Sequence, residues 1–472
     1  MKRIIGVVLS VLLSVSMLEA KIVLPKILSD NMVLQQKSTV KIWGKSNANG
    51  EVSVYSSWNN KITKTVSNSD GRWVLEVKTV KAGGPYLLKI SDQDGEITIQ
   101  NILLGEVWLC SGQSNMQMQI TGLYNTDVEN AQEVIRNANG SIRMAHIKQA
   151  MSLSPTDDCV VKWEEETAEK VAKSSAVAYF FGKYLQEKLQ VPIGLIVSCW
   201  GSSLVEAWMD EETASSFKTI NLDHLQGKRD NRYPPYVPVV LYNAMLAPIL
   251  NYDIKGMIWY QGESNIPKPN LYRELMTSFV EKTIRKGFGS KDMPFYYAQI
   301  APFTYDNYDG KGGVKSAKLR EVQMWNMQDI PHSGMAVTMD IGALKNIHPP
   351  KKKEVGERLA YWALAKTYKQ KIPFSGPIYR SMEVEEDEII LSFDHVGQGF
   401  KVKDGTVATM EIAGKDKIFY PAKVSVKGKK LVVSASKVMN PVAVRYGFKN
   451  FFQGDLYNKA SLPASSFRTD DW

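Results

Sequence analysis

Glu106-Val107-Trp108-Leu109-Cys110-Ser111-Gly112-Gln113-Ser114-Asn115-Met116 is a short apolar run that ends in a small polar turn. The apolar part reads as a buried parallel strand. A serine just past such a strand sits where α/β sheets place their chemistry. Alone, this turn is only a turn. A second segment with the same build, Trp259-Tyr260-Gln261-Gly262-Glu263-Ser264-Asn265, raises its weight, and His348 follows a third apolar run. Three strand ends tipped with reactive or hydrogen-bonding groups point to one assembled site.

Working outward, strands are expected at 106–111, 192–199, 254–260, 294–300 and 334–340. Helices are expected at 171–189, 269–287, 314–328 and 351–368. In the last of these, Val355, Leu359, Trp362 and Lys366 follow Pro349-Pro350 at helical spacing. Strand then helix, repeated, makes right-handed βαβ units and a parallel sheet covered on both faces, so the class is α/β.

Residues 21–104 alternate apolar and polar positions between turn signals such as Asn49-Gly50 and Asp70-Gly71, the pattern of an antiparallel β-sandwich. From Phe374 onward short alternating strands return, among them Val424-Ser425-Val426 and Leu431-Val432-Val433, with a turn at Lys403-Asp404-Gly405. The expected division is therefore 1–20, 21–104 (β-sandwich), 105–373 (catalytic) and 374–472 (β-rich).

At 472 residues the chain exceeds one ordinary core. Its 44% hydrophobic and 23% charged residues are those of a soluble globular protein. A formal charge of +9 is mild at this length. Lys351-Lys352-Lys353 reads as a solvated helix start, and no nucleic-acid motif is present. Lys2 and Arg3, the apolar stretch Ile4 to Leu18 and the small Ala20 read as a signal peptide at 1–20. The protein is thus expected to be exported, periplasmic or extracellular, with no membrane attachment after cleavage. An uncleaved anchor is the other reading, but about 15 apolar residues is short for a span. Cys110, Cys159 and Cys199 are an odd count, and Cys110 and Cys199 fall in strand-like runs, so buried thiols are expected rather than a disulfide. No Cys/His spacing suggests zinc, and no cofactor is expected.

A serine hydroxyl becomes a nucleophile when a base takes its proton, and histidine is the usual base. Of His146, His224, His332, His348 and His395, His348 is the best candidate, because its loop lies between the strand ending at Asp340 and the helix near Pro350, at the same sheet edge as Ser114. His332 precedes that strand and belongs at the opposite edge. The base needs an acceptor on its other ring nitrogen. Asp340 is the nearest acid in sequence, Glu263 is an alternative from a neighbouring strand end, and Asn346 or a backbone carbonyl would orient the ring without charge. For a tetrahedral oxyanion, the candidate donors are the Ser114 N–H, Gly201 in Trp200-Gly201-Ser202-Ser203, and the side chains of Gln261, Asn265 and Asn115. Gln261 and Asn265 read equally well as turn stabilisers. The polar, aromatic stretch 209–240 reads either as a sugar-binding loop or as an exposed connection.

Taken together and in this order, Gly112-Gln113-Ser114-Asn115-Met116, Trp200-Gly201-Ser202-Ser203, Trp259 to Asn265 and Ile347-His348-Pro349 resemble the sialate O-acetylesterase family of SGNH hydrolases. The resemblance covers nearly the whole mature chain, including Tyr242-Asn243-Ala244-Met245 and the ending around Leu456-Tyr457-Asn458. It implies a flavodoxin-like catalytic domain, Ser114 as nucleophile and His348 as base, and donors from Ser114, Gly201 and the Gln261 to Asn265 segment. The chain departs from the family where an aspartate often stands three or two residues before the histidine. Here those positions hold Lys345 and Asn346, and Ser202-Ser203 replaces a common Gly-Thr.

The expected activity is a serine carbohydrate acetylesterase, with 9-O-acetyl sialic acid as the first substrate and plant xylan or pectin as the alternative. A carbohydrate-binding protein without catalysis is the reading from another class. A sialic-acid enzyme needs cations for the sugar carboxylate, for which Lys228, Arg229 and Arg232 are available, whereas a neutral sugar calls on Tyr233 and Tyr236.

Overall fold

Gly95–Gly112 is one strand of 18 residues that serves two sheets. Its first half pairs antiparallel with Gly83–Asp92, and its second half lies between Ile193–Cys199 and Gly256–Tyr260, parallel to both. The boundary expected between 104 and 105 therefore falls inside a strand, and one sheet of the sandwich joins the parallel strands in an 11-stranded sheet, while Thr39–Lys45 and Arg72–Lys78 pair in a separate one. Gly105 marks the change of partner: a Cβ there would stand 2.1 Å from the Pro192 carbonyl oxygen. The computed structural model describes residues 22–123, 126–138, 140–402 and 407–472. The leader expected at 1–20 and the turn at Lys403-Asp404-Gly405 lie outside the described residues.

In the parallel part the strand order is Ser333–Ala336, Phe295–Ala298, Gly256–Tyr260, Gly95–Gly112, Ile193–Cys199 and Ile142–His146. After Gly95–Gly112 the chain first builds one side of the sheet, then the other. That strand is the switch point, and open α/β sheets bind their ligands beyond the carboxyl end of such a strand. Register levels the three central strands there, since Gly112 is opposite both Cys199 and Tyr260.

Burial follows from period two. Val107 and Leu109 enter one core, Trp108 and Cys110 the other. Trp108 stacks on Tyr296 at 6.0 Å between ring centres and meets Phe181 edge-on at 5.1 Å. Full burial of each such side chain is worth about 1.5–3 kcal/mol. Helices Ala176–Leu189 and Lys352–Trp362 cover this face. They approach closely because residue 356 is glycine: a Cβ would lie 2.8 Å from both the Val177 carbonyl oxygen and the Phe181 nitrogen.

Three local expectations change. The helix expected at 171–189 is two helices, Ala168–Ala172 and Ala176–Leu189, because the Ser175 hydroxyl caps the second by accepting from the Ala178 N–H. The strand expected at 334–340 stops at Ala336, which leaves Asp340 in the following loop. Strand Ile142–His146 was not expected, because Arg143 breaks its apolar pattern. Arg143 reaches across to Asn101 and Glu165.

The outer β regions are antiparallel, with Val40 opposite Val77, Ile42 opposite Leu75 and Val424 opposite Val433. The carboxyl-terminal part is tied to the parallel sheet through buried polar groups. Arg320 donates to the Lys449 carbonyl at 2.5 Å, and Gln299 donates to Ser465 at 2.8 Å. Cys110, Cys159 and Cys199 are free, buried thiols. Among the described residues no helix is long and apolar enough to cross a membrane.

Candidate active site

Glycine is required where the serine turn begins. Gly112 has φ +140°, and a Cβ there would come within 2.1 Å of the Tyr260 carbonyl oxygen. The turn feeds the short helix Ser114–Gln117. Gln113 pins it to the second segment: its N–H donates to the Tyr260 carbonyl at 3.0 Å, and its Oε1 accepts the Gly262 N–H at 3.2 Å. The His348 loop is set by Asn346, whose Oδ1 accepts the His348 N–H at 2.8 Å while its amide donates to Thr126 at 2.6 Å.

These placements bring Ser114 Oγ to 2.8 Å from His348 Nε2. For the hydroxyl to donate, Nε2 must be unprotonated. Burial, and then the positive charge of Lys352, hold the imidazole down at about 4, so the ring is neutral across the ordinary range. The serine is partly exposed and the histidine is buried. His332 lies at the opposite end of strand Ser333–Ala336, and His395 packs edge-on against Phe374 and Trp362.

Neither expected acid meets the imidazole. Both carboxylate oxygens of Asp340 are taken by Arg358, each at 2.7 Å, because the strand ends early and the arginine comes over from helix Lys352–Trp362. Glu263 accepts instead from Asn115 at 2.6 Å. Burial raises its carboxyl above the usual range.

The side-chain donors expected for an oxyanion are also engaged. Gln261 donates to the Ser203 carbonyl at 2.9 Å and to Asn265 at 2.6 Å, and accepts from the Tyr272 hydroxyl at 3.0 Å. Asn265 donates to Glu206 at 2.9 Å and accepts from the Val205 N–H. The two amides hold the turn against Ser203, Val205 and Glu206. Asn115 donates to Glu263 and to the Ile347 carbonyl at 3.1 Å, so it joins the serine turn to the histidine loop. Gly201 does lie beside the serine: a Cβ there would be 3.5 Å from Ser114 Cβ. Its N–H donates to Gln117 Oε1 at 2.8 Å.

Two participants were not found in the sequence. Lys352, read with its neighbours as solvated, is fully buried and donates to Asn115 Oδ1 at 2.5 Å. Helical rotation turns one lysine of the three inward; Lys353 beside it is exposed. Trp200, next to Gly201, donates to the Tyr233 hydroxyl at 3.1 Å, and Tyr233 meets Tyr236 edge-on at 6.0 Å. Within the 209–240 stretch, Lys228 is paired with Asp223 and Arg232 with Asp230.

A serine and a neutral histidine in contact at a switch point, level with a glycine-bearing loop, define a hydrolase-like site. Comparison with known proteins settles the class. Residues 104–365 match the family described as carbohydrate esterase, sialic acid-specific acetylesterase. The sialate O-acetylesterase of Pongo abelii is 28% identical over 93% of this chain and 91% of its own length. That of Homo sapiens is 29% identical over 79% of this chain and 76% of its own. A carbohydrate acetylesterase from Xanthomonas citri, solved by crystallography, superposes with a TM-score of 0.87 at 32% identity, covering 96% of this chain and all of its own. The protein is a carboxylic ester hydrolase. It belongs to the family of sialic acid-specific carbohydrate acetylesterases, and the reading as a binding protein without catalysis gives way.

Proposed function

We propose that the protein removes O-acetyl groups from sugars through an acetyl-enzyme on Ser114, with His348 as base and no third charged member bonded through Asp340 or Glu263. The observation that carries this is the 2.8 Å contact between Ser114 Oγ and His348 Nε2. As Oγ forms its bond to the acetyl carbon, its proton passes to Nε2. When the tetrahedral species collapses, the bond from the acetyl carbon to the sugar oxygen breaks, and the imidazolium returns the proton to that oxygen. A water activated by His348 then splits the acetyl-enzyme to acetate and free Ser114. The Ser114 N–H, at the first position of its helix, has no intrahelical acceptor and serves as one oxyanion donor. Gly201 N–H serves as the second when the acyl oxygen replaces Gln117 Oε1. Strand order and a serine at the switch point support an SGNH-type, flavodoxin-like arrangement. The leader-like sequence of residues 1–20 supports a reaction outside the cytoplasm.

Family membership favours O-acetyl sialic acid as substrate. A neutral acetylated sugar is the second reading, supported by the side chains beside Gly201. Tyr233 is held by Trp200 and remains 52% exposed, while Lys228 and Arg232 are paired with neighbouring acids. Acetate release should be measured across acetylated sialic acid, xylan, pectin and simple acetyl sugars, with Ser114→Ala as control. Activity on every ester that survives Ser114→Ala would remove the serine from the reaction. Release from sialate alone would remove the neutral-sugar reading.

A further inference from the structure

Lys352 is the one member of the Lys351-Lys352-Lys353 run that is fully buried, and the proposed chemistry does not use it. Its Nζ donates to Asn115 Oδ1 at 2.5 Å and lies 5.6 Å from the centre of the Tyr260 ring. Asn115 in turn donates to Glu263 Oε1 at 2.6 Å and to the Ile347 carbonyl at 3.1 Å. An ammonium only donates, and a carboxylate or carbonyl only accepts. The amide of Asn115 therefore fits one way round. Asn115 follows Ser114, Ile347 precedes His348, and Glu263 heads the third loop.

We propose that Lys352 is a positioning residue for the Ser114–His348 pair: its buried ammonium fixes Asn115 between Glu263 and Ile347, and so locks the serine turn against the histidine loop. This rests on the serine–histidine reading given above. The same charge also acts on the base. Burial, then the Lys352 cation, disfavour the imidazolium of His348. Burial pulls Lys352 itself down to about 7, against the pull of Glu263. Tyr260, Tyr272, Tyr305 and Tyr308 also act on Glu263, all held above the phenol range first by burial and neutral throughout the acid range. In acid, Lys352 is a cation that acts on His348.

Lys352→Met keeps the aliphatic stem and removes the ammonium. With nitrophenyl acetate, kcat should fall by about 10- to 100-fold while KM stays within about threefold, the cost of a small misplacement of reacting groups. The acid limb of kcat/KM should move toward neutral pH, because the cation that opposed protonation of His348 is gone. A lysine that only supports the fold would lower Tm and leave that limb in place. In folded Lys352→Met, a kcat within about twofold of the parent, or an unmoved acid limb, overturns the proposal. Glu263→Gln tests the same lock from its other end if Lys352→Met does not fold, since it keeps size and an acceptor for Asn115. It should lower kcat by about threefold or more at unchanged KM, and parental kcat overturns the proposal. Acetate release that survives Ser114→Ala points to failure of the serine reading itself. An inactive Ser114→Ala beside a parental Lys352→Met points to failure of the positioning role alone.

Discussion

Two polar clusters occupy the same edge of the parallel sheet and differ in what they have left to offer. In the cluster of Gln261, Asn265, Glu206 and Tyr272, each polar atom of the two amides has a partner among Ser203, Val205, Glu206, Tyr272 and each other. At Ser114 and His348, a hydroxyl-to-imidazole contact joins the serine turn to the histidine loop and lies partly open. Both clusters look alike as strings of polar residues after a strand. Exposure and partners separate them: buried amides engaged on each polar atom hold the turn, and a partly exposed serine hydroxyl can meet a substrate.

The largest test of this contrast exchanges one residue in each cluster. Ser114→Ala should lower kcat/KM by about a thousandfold or more with an unchanged melting curve. Gln261→Ala strands buried partners, so it should cost about 1–3 kcal/mol of stability while folded molecules keep most of their kcat. Chemical denaturation beside initial rates reads both, and the contrast breaks if Gln261→Ala matches the serine variant in rate without loss of stability.

Next in size is the acid limb. His348 must be neutral to accept a proton, and burial with Lys352 nearby holds it at about 4. On an uncharged ester, kcat/KM should stay level from neutrality down to the region of pH 5, then fall as pH drops through about 4. A half-maximum near 6.5, the ordinary imidazole value, would mean that the histidine is not held as described.

A smaller effect belongs to Asp340. Were it the acid behind His348, Asp340→Asn would cost about 10⁴ in kcat. Because the carboxylate is bound by Arg358 on both oxygens, the expected loss is about 1–3 kcal/mol of stability, with kcat changed by less than about tenfold. The smallest effect concerns the sugar. Tyr233→Ala should raise KM for an acetylated oligosaccharide by about 5- to 10-fold and leave nitrophenyl acetate hydrolysis alone, since only the larger substrate reaches the ring.

The sequence made much of this site legible, and the limits have physical causes. Ser114, Gly201 and His348 were readable because each follows an apolar strand, and parallel strands put their carboxyl ends at one edge. Exclusion of His332 worked for the same reason. Asp340 misled because nearness in sequence says nothing of Arg358, which approaches from a helix that begins only after the loop. Gln261 and Asn265 were ambiguous because saturation depends on partners such as Tyr272 and Glu206 that only the folded chain supplies. Lys352 was hidden by its neighbours, since a run of three lysines reads as a charged surface until helical rotation assigns each one a face. In the fold, the boundary near Gly105 was seen as a change of pattern, yet a single strand crosses it. Alternation of apolar residues does not reveal where a strand changes partners.

The central claim is that Ser114 carries the acetyl group. Protein mixed with excess nitrophenyl acetate and quenched in acid within the first turnovers should gain the mass of one acetyl group. Peptide mapping should place that group on Ser114, and Ser114→Ala should gain nothing. An acetyl group on another residue, or none in a protein that is turning over under conditions where deacetylation is slow, would contradict it.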